Sequence, residues 1–520
     1  MKNNLEQYKI YNPATGEETG SYDIMDKDSV DDAVKKAGIA FKYWSKSDFS
    51  VRKKIMKKAI AIIASDPEKY AAVISSETGK TMHDALLADI YSALDMLKYY
   101  AKHAEKFLKP VKGTSGILLP GRKAYYVFEP KGVVGIIAPW NYPFTLASSP
   151  VVSAVMAGNS VLLKPSSQTT GSGVIIKDVL EQAGLPEDVI QVLTGPGGLT
   201  GQALIEHQDI DMLFFTGSTE IGKEVNVEAA KKLIPAIMEL GGKDVAIVTK
   251  NANLNRAAHG VLWGGITNSG QTCIGTEIVL VDRTVYDEFL AKITDLAKNL
   301  KSGSKGGNVG SMTMKSQYAI VEDQLQDALD KGAKVAAEGK IDRGRPGLYF
   351  PPTILTDTTP EMKVRSHETF GPLLPVVPYD TLSEAIDMAN NTEYGLSGAI
   401  YTKDMSEGRQ IAAKINTGSI NINDSLITFA IPSLPFGGVK HSGVGIYHSK
   451  SGIRAFTNIK SVTEFNWNLK KEIFWYPLPE GCEKVTSRAI TAYFSNNIFT
   501  KIKAFLGAAI QVWHLWKKGG

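Results

Sequence analysis

A change of texture at Ala124 constrains the fold of this chain more than any other feature. Before it, apolar residues recur every three to four positions in SVDDAVKKAGIAFKYW and in SVRKKIMKKAIAIIASDPEKYAAVISSETGK, with Ser at the N-cap positions, and this spacing predicts helices. After it the chain turns β-branched and aromatic in AYYVFEPKGVVGIIAPW, continues into a small-residue helix over 151–158, and enters a strand at SVLLKP. The helix GVIIKDVLEQAG, the strand VIQVLTG, a further helical stretch and the strand DMLFFTGS follow. Strands alternating with helices imply a parallel sheet joined by right-handed crossovers, so this half is expected to be doubly wound α/β of the Rossmann type. DVAIVTK, EIVLVDRTVYDEFLAKITDLAKNL and HETFGPLLPVVPYDTLSEAIDMAN repeat the alternation and predict a second α/β domain. No internal repeat or long low-complexity linker interrupts it.

Composition narrows the function classes. A chain of 520 residues exceeds what one hydrophobic core of roughly 250–300 residues holds, so several domains are expected. With 43% hydrophobic and 22% charged residues and no spanning-length apolar run, it does not read as a membrane-crossing protein. The N-terminus MKNNLEQYKIYNPATGEE lacks a signal-peptide pattern, which makes the cytoplasm the expected compartment. Only Cys273 and Cys482 are present, too few for a disulfide framework and without zinc-site spacing, so no metal is expected. The net charge of +4 is uneven: residues 466–520 carry +5 and the rest −1. A near-neutral body argues against nucleic-acid binding, which needs a broad basic surface.

Several short segments carry chemistry. DMLFFTGSTEIGKE nearly matches a phosphate-binding loop through Gly217, Gly222 and Lys223, but Glu224 stands where a hydroxyl should hold magnesium, which disfavours a nucleoside triphosphatase. A strand entering a glycine turn and a helix N-terminus still offers amides and a positive dipole end to phosphate. In APWNYPF, Trp140 and Asn141 end the strand VVGIIA, where parallel sheets bind ligands, although an Asn there also suits a turn. Glu239 in MELGGKD and Cys273 in GQTCIG could serve as base and nucleophile if a cleft joins them; alone, each has a structural reading.

Taken in order, NPATGE, SETGK, PWNYPF, LLKPSSQT, FTGSTEIG, MELGGKD, GQTCIG, HETFGP, PFGGVKHSG and YHSKSG make the chain resemble the aldehyde dehydrogenase superfamily from about Lys9 to Phe465. The resemblance implies that Cys273 attacks the aldehyde carbonyl to form a thiohemiacetal. The amide of Asn141 and the backbone N–H of Cys273 would hold the oxyanion, each such donor being worth about 3–4 kcal/mol. Loss of hydride to nicotinamide leaves a thioester, for which Glu239 would activate water. Glu239 favours a free acid as product over transfer to coenzyme A.

By the same resemblance Lys164 belongs at the adenine ribose, Gly217, Ser218 and Trp140 around the pyrophosphate, and Glu368 with Phe370 at the nicotinamide end. The cofactor is expected to be NAD or NADP. Ser167 replaces the Glu found in many NAD-preferring relatives, so it neither binds ribose hydroxyls as a carboxylate nor repels a 2′-phosphate, and NADP should be accepted. Tyr142, Leu146, Leu426, Ile427 and Phe429 would line an apolar substrate tunnel, and no Lys or Arg lies between Asn141 and Lys164 to hold a distal carboxylate. The expected substrate is therefore an aliphatic, long-chain or aromatic aldehyde, since the ending PFGGVKHSGVGIYHSKSG most resembles the fatty and aromatic branch.

The expected division is a dinucleotide-binding domain over 1–110 and 131–240, a catalytic domain over 241–445, an oligomerisation element over 111–130 and 455–466, and a tail over 467–520. A homodimer or homotetramer is expected from that element. In the tail, Ile498, Ile502, Phe505, Ala509, Trp513 and Trp516 fall at helical spacing with lysines around them, predicting an amphipathic helix over 494–518 that suits peripheral membrane contact. The rival readings are a coenzyme A-acylating enzyme and a non-catalytic protein of the same fold.

Overall fold

A computed structural model describes residues 6–116, 119, 121–303, 307–341, 346–467, 472 and 474–518. The side chains of Trp516, Lys517 and Lys518 lie outside the described residues, as do positions 117, 118 and 120 of the expected oligomerisation segment. The chain forms two compact units, one of residues 1–107 and 130–458 and one of residues 108–129 and 459–520.

The larger unit holds two sheets. The first orders its strands Gly443–Val444, Ala236–Glu239, Met212–Thr216, Val133–Ile137, Ser160–Lys164, Ile190–Val192, all parallel except the first. The chain builds outward from Val133–Ile137 and then returns to its other side at Met212–Thr216. Such a reversal opens a crevice at the carboxyl ends of the two strands, and Trp140–Asn141 and Gly217–Ser218 emerge there. The helix Thr145–Ala157 is buried on all sides, as its near-continuous run of small and apolar residues requires, and it begins six residues before the stretch that periodicity marks. Helix Lys27–Trp44, capped by the Asp26 carboxylate accepting the Ser29 N–H at 2.9 Å, lays Val30, Ala33, Val34 and Ala37 on the sheet.

Only Leu240–Lys243 separate the strand ending at Glu239 from Asp244–Val248, which belongs to the second sheet. That sheet runs Lys334–Glu338, Thr353–Thr356, Leu373–Tyr379, Thr276–Asp282, Asp244–Val248, Gly398–Tyr401, Asn421–Ile422, and is parallel except for its first pair. Its central strands are apolar on both surfaces, the pattern of a sheet covered twice. Past it, Gly443–Val444 pairs antiparallel with Met238–Glu239, so the chain returns to the first sheet beside the base candidate.

The smaller unit contributes most of a three-stranded sheet ordered Thr457–Phe465, Arg122–Pro130, Val111–Lys112. Tyr125 Oη donates to Glu464 at 2.7 Å, and Lys123 pairs with the same carboxylate at 3.2 Å. The tail departs from the expected single helix: Cys482–Phe494 and Ile498–Lys518 form a helical hairpin, and Phe494 ends the first helix rather than starting the second. The break is chemical. Ser495 Oγ accepts the Asn497 N–H at 3.2 Å and Asn497 Oδ1 accepts the Thr500 N–H at 3.1 Å, so short polar side chains cap the new helix and compete with continuation of the old one. Among the described residues no helix is long and apolar enough to cross a membrane.

Candidate active site

Cys273 follows a loop in which three successive residues take positive φ: Asn268 at 52°, Ser269 at 58° and Gly270 at 71°. Left-handed backbone costs energy for residues other than Gly, so something must hold it. The bracing is a set of buried amides. Asn268 Nδ2 donates to the Asn141 carbonyl at 2.9 Å and to the Gln271 carbonyl at 3.2 Å; Asn141 Nδ2 donates to the same Gln271 carbonyl at 3.0 Å. Gln271 Nε2 donates back to Asn268 O at 2.9 Å, and its Oε1 accepts the Thr313 N–H at 2.9 Å. At Gly270 a Cβ would stand 2.2 Å from the Gly371 carbonyl oxygen, so close approach as well as conformation requires glycine. The result ties Asn141, at the end of one sheet's strand, to the loop carrying the thiol.

Burial raises the proton affinity of the acidic groups around Cys273. Burial pushes the Cys273 thiol far up, and the carboxylates of Glu239, Glu368 and Asp244 add to the shift. Burial likewise raises Glu239 well above the usual carboxylate range, and neither of its oxygens has a hydrogen-bond partner among the described residues. Burial, then the neighbouring Glu277, hold Glu368 high as well, although its Oε1 accepts the Gly242 N–H at 2.9 Å. A buried Lys243–Glu277 ion pair fixes the turn that carries Glu368: Glu277 accepts the N–H groups of Thr369 and Phe370 at 2.8–3.0 Å, and Lys243 reaches the Thr369 hydroxyl at 3.1 Å.

Two cavities reach Cys273. The larger, about 540 Å³, lies at the crevice of the first sheet and is walled by Trp140, Asn141, Gly217, Ser218, Glu368 and Phe370 among others. Trp140 and Phe370 meet edge to face across it, ring centres 5.4 Å apart. Ser218 is the N-cap of helix Thr219–Lys231, so that helix's positive end opens into the cavity. At Gly241 a Cβ would come within 2.6 Å of the Glu368 carboxylate, which leaves the floor open only because the side chain is absent. The second cavity, about 230 Å³, is predominantly apolar, and all five residues of the expected tunnel, Tyr142, Leu146, Leu426, Ile427 and Phe429, line it together with Leu87, Tyr91 and Trp263. Leu146 and Cys273 border both.

Lys164 and Ser167 are not brought to either lining. Lys164 ends the neighbouring strand Ser160–Lys164 and Ser167 follows it; the Lys164 ammonium is buried, donates to the Pro165 carbonyl at 2.7 Å and is pulled down to about 8 by burial. Glu239 is also behind the walls rather than on them, close enough to raise the proton affinity of the thiol but buried among its neighbours. Sequence reasoning missed Lys80, Asp89, Asn268, Gln271, Lys243 and Glu277, whose roles come from tertiary hydrogen bonds. It also passed over His448, a buried imidazole among Phe429, Phe436 and Tyr447 that burial drives down to about 3; its only signal was its place within YHSKSG. Among the described residues no group of three or more His, Cys, Asp or Glu could hold a metal ion.

A model of the aldehyde dehydrogenase family matches residues 1–462. The chain belongs to the aldehyde dehydrogenase family. It is 36% identical over 467 residues to a 4,4'-diapolycopene aldehyde oxidase of a Methylomonas species, covering 89% of this chain and 87% of that relative. It is also 36% identical over 455 residues to a Mycolicibacterium smegmatis protein provisionally named a succinate-semialdehyde dehydrogenase [NADP(+)], covering 86% of this chain and 87% of that one. The solved aldehyde dehydrogenase of Mycobacterium tuberculosis complexed with NAD+ superposes with a TM-score of 0.85 at 32% identity, covering 90% of this chain and 96% of its own. Aldehyde oxidation is therefore the reaction class of this aldehyde dehydrogenase, and the α/β fold expected from its strand–helix alternation is the fold it has.

Proposed function

We propose that this aldehyde dehydrogenase oxidises an apolar aldehyde, aliphatic, long-chain or aromatic, to the free acid through a thiohemiacetal and a thioester on Cys273. The observation that carries this reading is that one thiol borders two cavities, a larger one that takes in a helix N-terminus and the Glu368 carboxylate and a smaller one lined mainly by apolar side chains, so that two reactants can approach a single sulfur from different sides. The larger cavity suits NAD or NADP: an open helix N-terminus at Ser218 for the pyrophosphate, glycines at Gly217 and Gly241 where side chains would intrude, and Trp140, Phe370 and Glu368 for the nicotinamide end, with Lys164 and Ser167 beyond for the adenine ribose. When bound, the dinucleotide supplies the acceptor for the hydride released by the adduct.

The rest is done by side chains. The Cys273 sulfur attacks the carbonyl carbon, its proton passing to the ionised form of Glu239, whose oxygens have no hydrogen-bond partner among the described residues and whose charge reaches the thiol. The Asn141 amide, one N–H held by Gln271, directs the other at the developing oxyanion beside the Cys273 backbone N–H. Once the thiol proton has left to solvent, Glu239 takes a proton from the water attacking the thioester and passes it to Sγ as the acid departs. The smaller cavity has no Lys, Arg or His in its lining and carries Asp84, which disfavours a substrate with a distal carboxylate and favours an apolar one. The decisive experiment follows reduced-cofactor absorbance for wild type and Cys273→Ala with hexanal, a long-chain aldehyde, benzaldehyde and succinate semialdehyde, with each cofactor and without coenzyme A. Turnover of the apolar aldehydes that vanishes in the variant is expected; strict dependence on coenzyme A, or a preference for succinate semialdehyde, would overturn the reading.

The tail supports a second element of the function, peripheral attachment to an anionic lipid surface. Arg488 Nη1 donates to Gly507 O and Gln511 Oε1, both at 2.9 Å, so that side of helix Ile498–Lys518 packs on the preceding helix. Ile498, Phe499, Ile502, Phe505, Leu506, Ile510 and Trp513 are all exposed, and the helix contains lysines but no acidic residue. Flotation with vesicles containing anionic lipid is expected for the full chain and not for a chain ending before Phe494; equal flotation would refute attachment. A homodimer or homotetramer is favoured by strand Thr457–Phe465, whose outward residues are exposed along a sheet edge. Light scattering of the purified chain tests this, a monomer being the refuting result.

A further inference from the structure

The charged pair Lys80–Asp89 has no part in the chemistry above, yet both side chains are completely buried and lie 2.7 Å apart. Burying two charges is costly unless the geometry is well satisfied, and this pair is satisfied in a particular direction. The Lys80 ammonium donates a second bond, 2.7 Å, to the backbone carbonyl of Asn141, and it stands 4.1 Å from the ring centre of Tyr142. The other carboxylate oxygen of Asp89 accepts the N–H groups of Phe144 and Thr145 at 3.1 and 3.2 Å, where the buried helix Thr145–Ala157 begins. Residues 141–145 are thus gripped at both ends by one ion pair. Asn268 completes the hold by donating to the same Asn141 carbonyl.

Asp89 sits within a π-helical turn, Ala85–Tyr91, a wider coil than the flanking α-helices. Such turns insert an extra residue at an energetic cost and recur at functional sites. Here the widening sends Asp89 inward to Lys80, while Leu87, Ala88 and Tyr91 of the same turn form a wall of the smaller cavity. Lys80 is placed by the preceding Gly79, whose φ of 75° ends helix Pro67–Thr78 and whose Cβ, if present, would strike Ser311. The cavity wall and the segment bearing the Asn141 amide are therefore one hydrogen-bonded body.

We infer that Lys80 and Asp89 are positioning residues for the oxyanion donor, fixing Asn141 through its backbone and coupling it to the π-helical wall that meets the aldehyde. This rests on the role proposed above for Asn141. A carboxamide displaced by a fraction of an ångström loses its alignment with the oxyanion, and misplacement on the order of 1 Å can cost about 100-fold in rate.

The test is a double-mutant cycle in the full-length enzyme, read as the rate of hydride transfer in a single turnover and as KM for the cofactor. Lys80→Met is expected to slow hydride transfer by about 10- to 100-fold while leaving the cofactor KM within about twofold. In the Asn141→Ala background the same substitution is expected to cost less than about threefold, because there is no donor left to position. Equal losses in both backgrounds would overturn the inference and leave the pair a purely structural one. If Lys80→Met does not fold, Lys80→Met/Asp89→Leu, which leaves no lone buried charge, runs the same cycle against Asn141→Ala: a loss that shrinks in that background supports the inference, and an equal loss overturns it. Asp89→Glu, which retains the charge, is expected to recover part of the rate; no recovery with an intact thermal transition counts against the inference. Full activity of Asn141→Ala alone would defeat the oxyanion reading itself, an outcome separate from additivity in the cycle.

Discussion

The two cavities that share Cys273 are built by different means. The larger is anchored on strand ends, glycine turns and one helix N-terminus, and its walls are completed by side chains that include Trp140, Gln317, Asp323, Lys363, Glu368 and Phe370. The smaller is made from side chains on helices and on a late loop: Leu87 and Tyr91 from the π-helical turn, Tyr142 and Leu146 from the buried central helix and its approach, Trp263 from a helix of the second sheet, Leu426–Phe429 from after its last strand. A backbone-built site tolerates variation in surrounding side chains and suits a ligand common to many relatives. A side-chain-built site can be changed at low cost to the fold, and it is where one member differs from the next.

The sulfur between them depends on both, and the largest expected effect breaks that link. Glu239→Gln should reduce steady-state turnover by about 100- to 10,000-fold, the usual range for losing a general base. If deacylation suffers more than acylation, a burst of reduced cofactor near one equivalent will remain. Wild-type kcat/KM should also rise with pH through and above neutrality, because burial raises both Glu239 and Cys273 and their deprotonated forms appear only at higher pH. A profile flat from pH 6 to 9 would contradict that assignment.

A smaller effect should fall on one side only. Leu87→Lys places a cation in the apolar cavity and is expected to shift the kcat/KM ratio of succinate semialdehyde to hexanal by about 10- to 100-fold toward the acid, with cofactor KM unchanged. An unchanged ratio would mean that the substrate does not contact this wall. Smallest is Ser167→Glu, expected to weaken NADP use about tenfold by charge repulsion while sparing NAD, as read from paired cofactor titrations. Loss of both cofactors equally would place Ser167 outside the 2′ position.

Such asymmetry also explains what is legible in the sequence. Strands of the first sheet announce themselves because central parallel strands must be apolar on both sides, as in VVGII and MLFFT. Trp140, Asn141, Gly217 and Ser218 can be placed because a strand's end is where a parallel sheet meets its ligand. The second tail helix is legible through its stripe from Ile498, but its start is not: side-chain bonds at Ser495 and Asn497, which periodicity does not weigh, set it at Ile498 rather than Phe494. Lys80 closes the SETGK motif and Asp89 looks like an ordinary surface charge in the sequence, and nothing local says that the two meet.

By itself, then, the sequence determined the class of fold and singled out the candidate thiol and carboxylate, since strand–helix alternation and residues in ordered motifs are local properties. Only the tertiary structure decided that Cys273 faces two cavities, that Glu239 is sealed without a partner among the described residues, and that Lys80 reaches from one helix's end to hold Asn141 sixty-one residues away. The physical reason is range. Propensity and periodicity act over a few residues, whereas burial, hydrogen bonding and the raised proton affinities that follow from them depend on which distant segments exclude water from the same place.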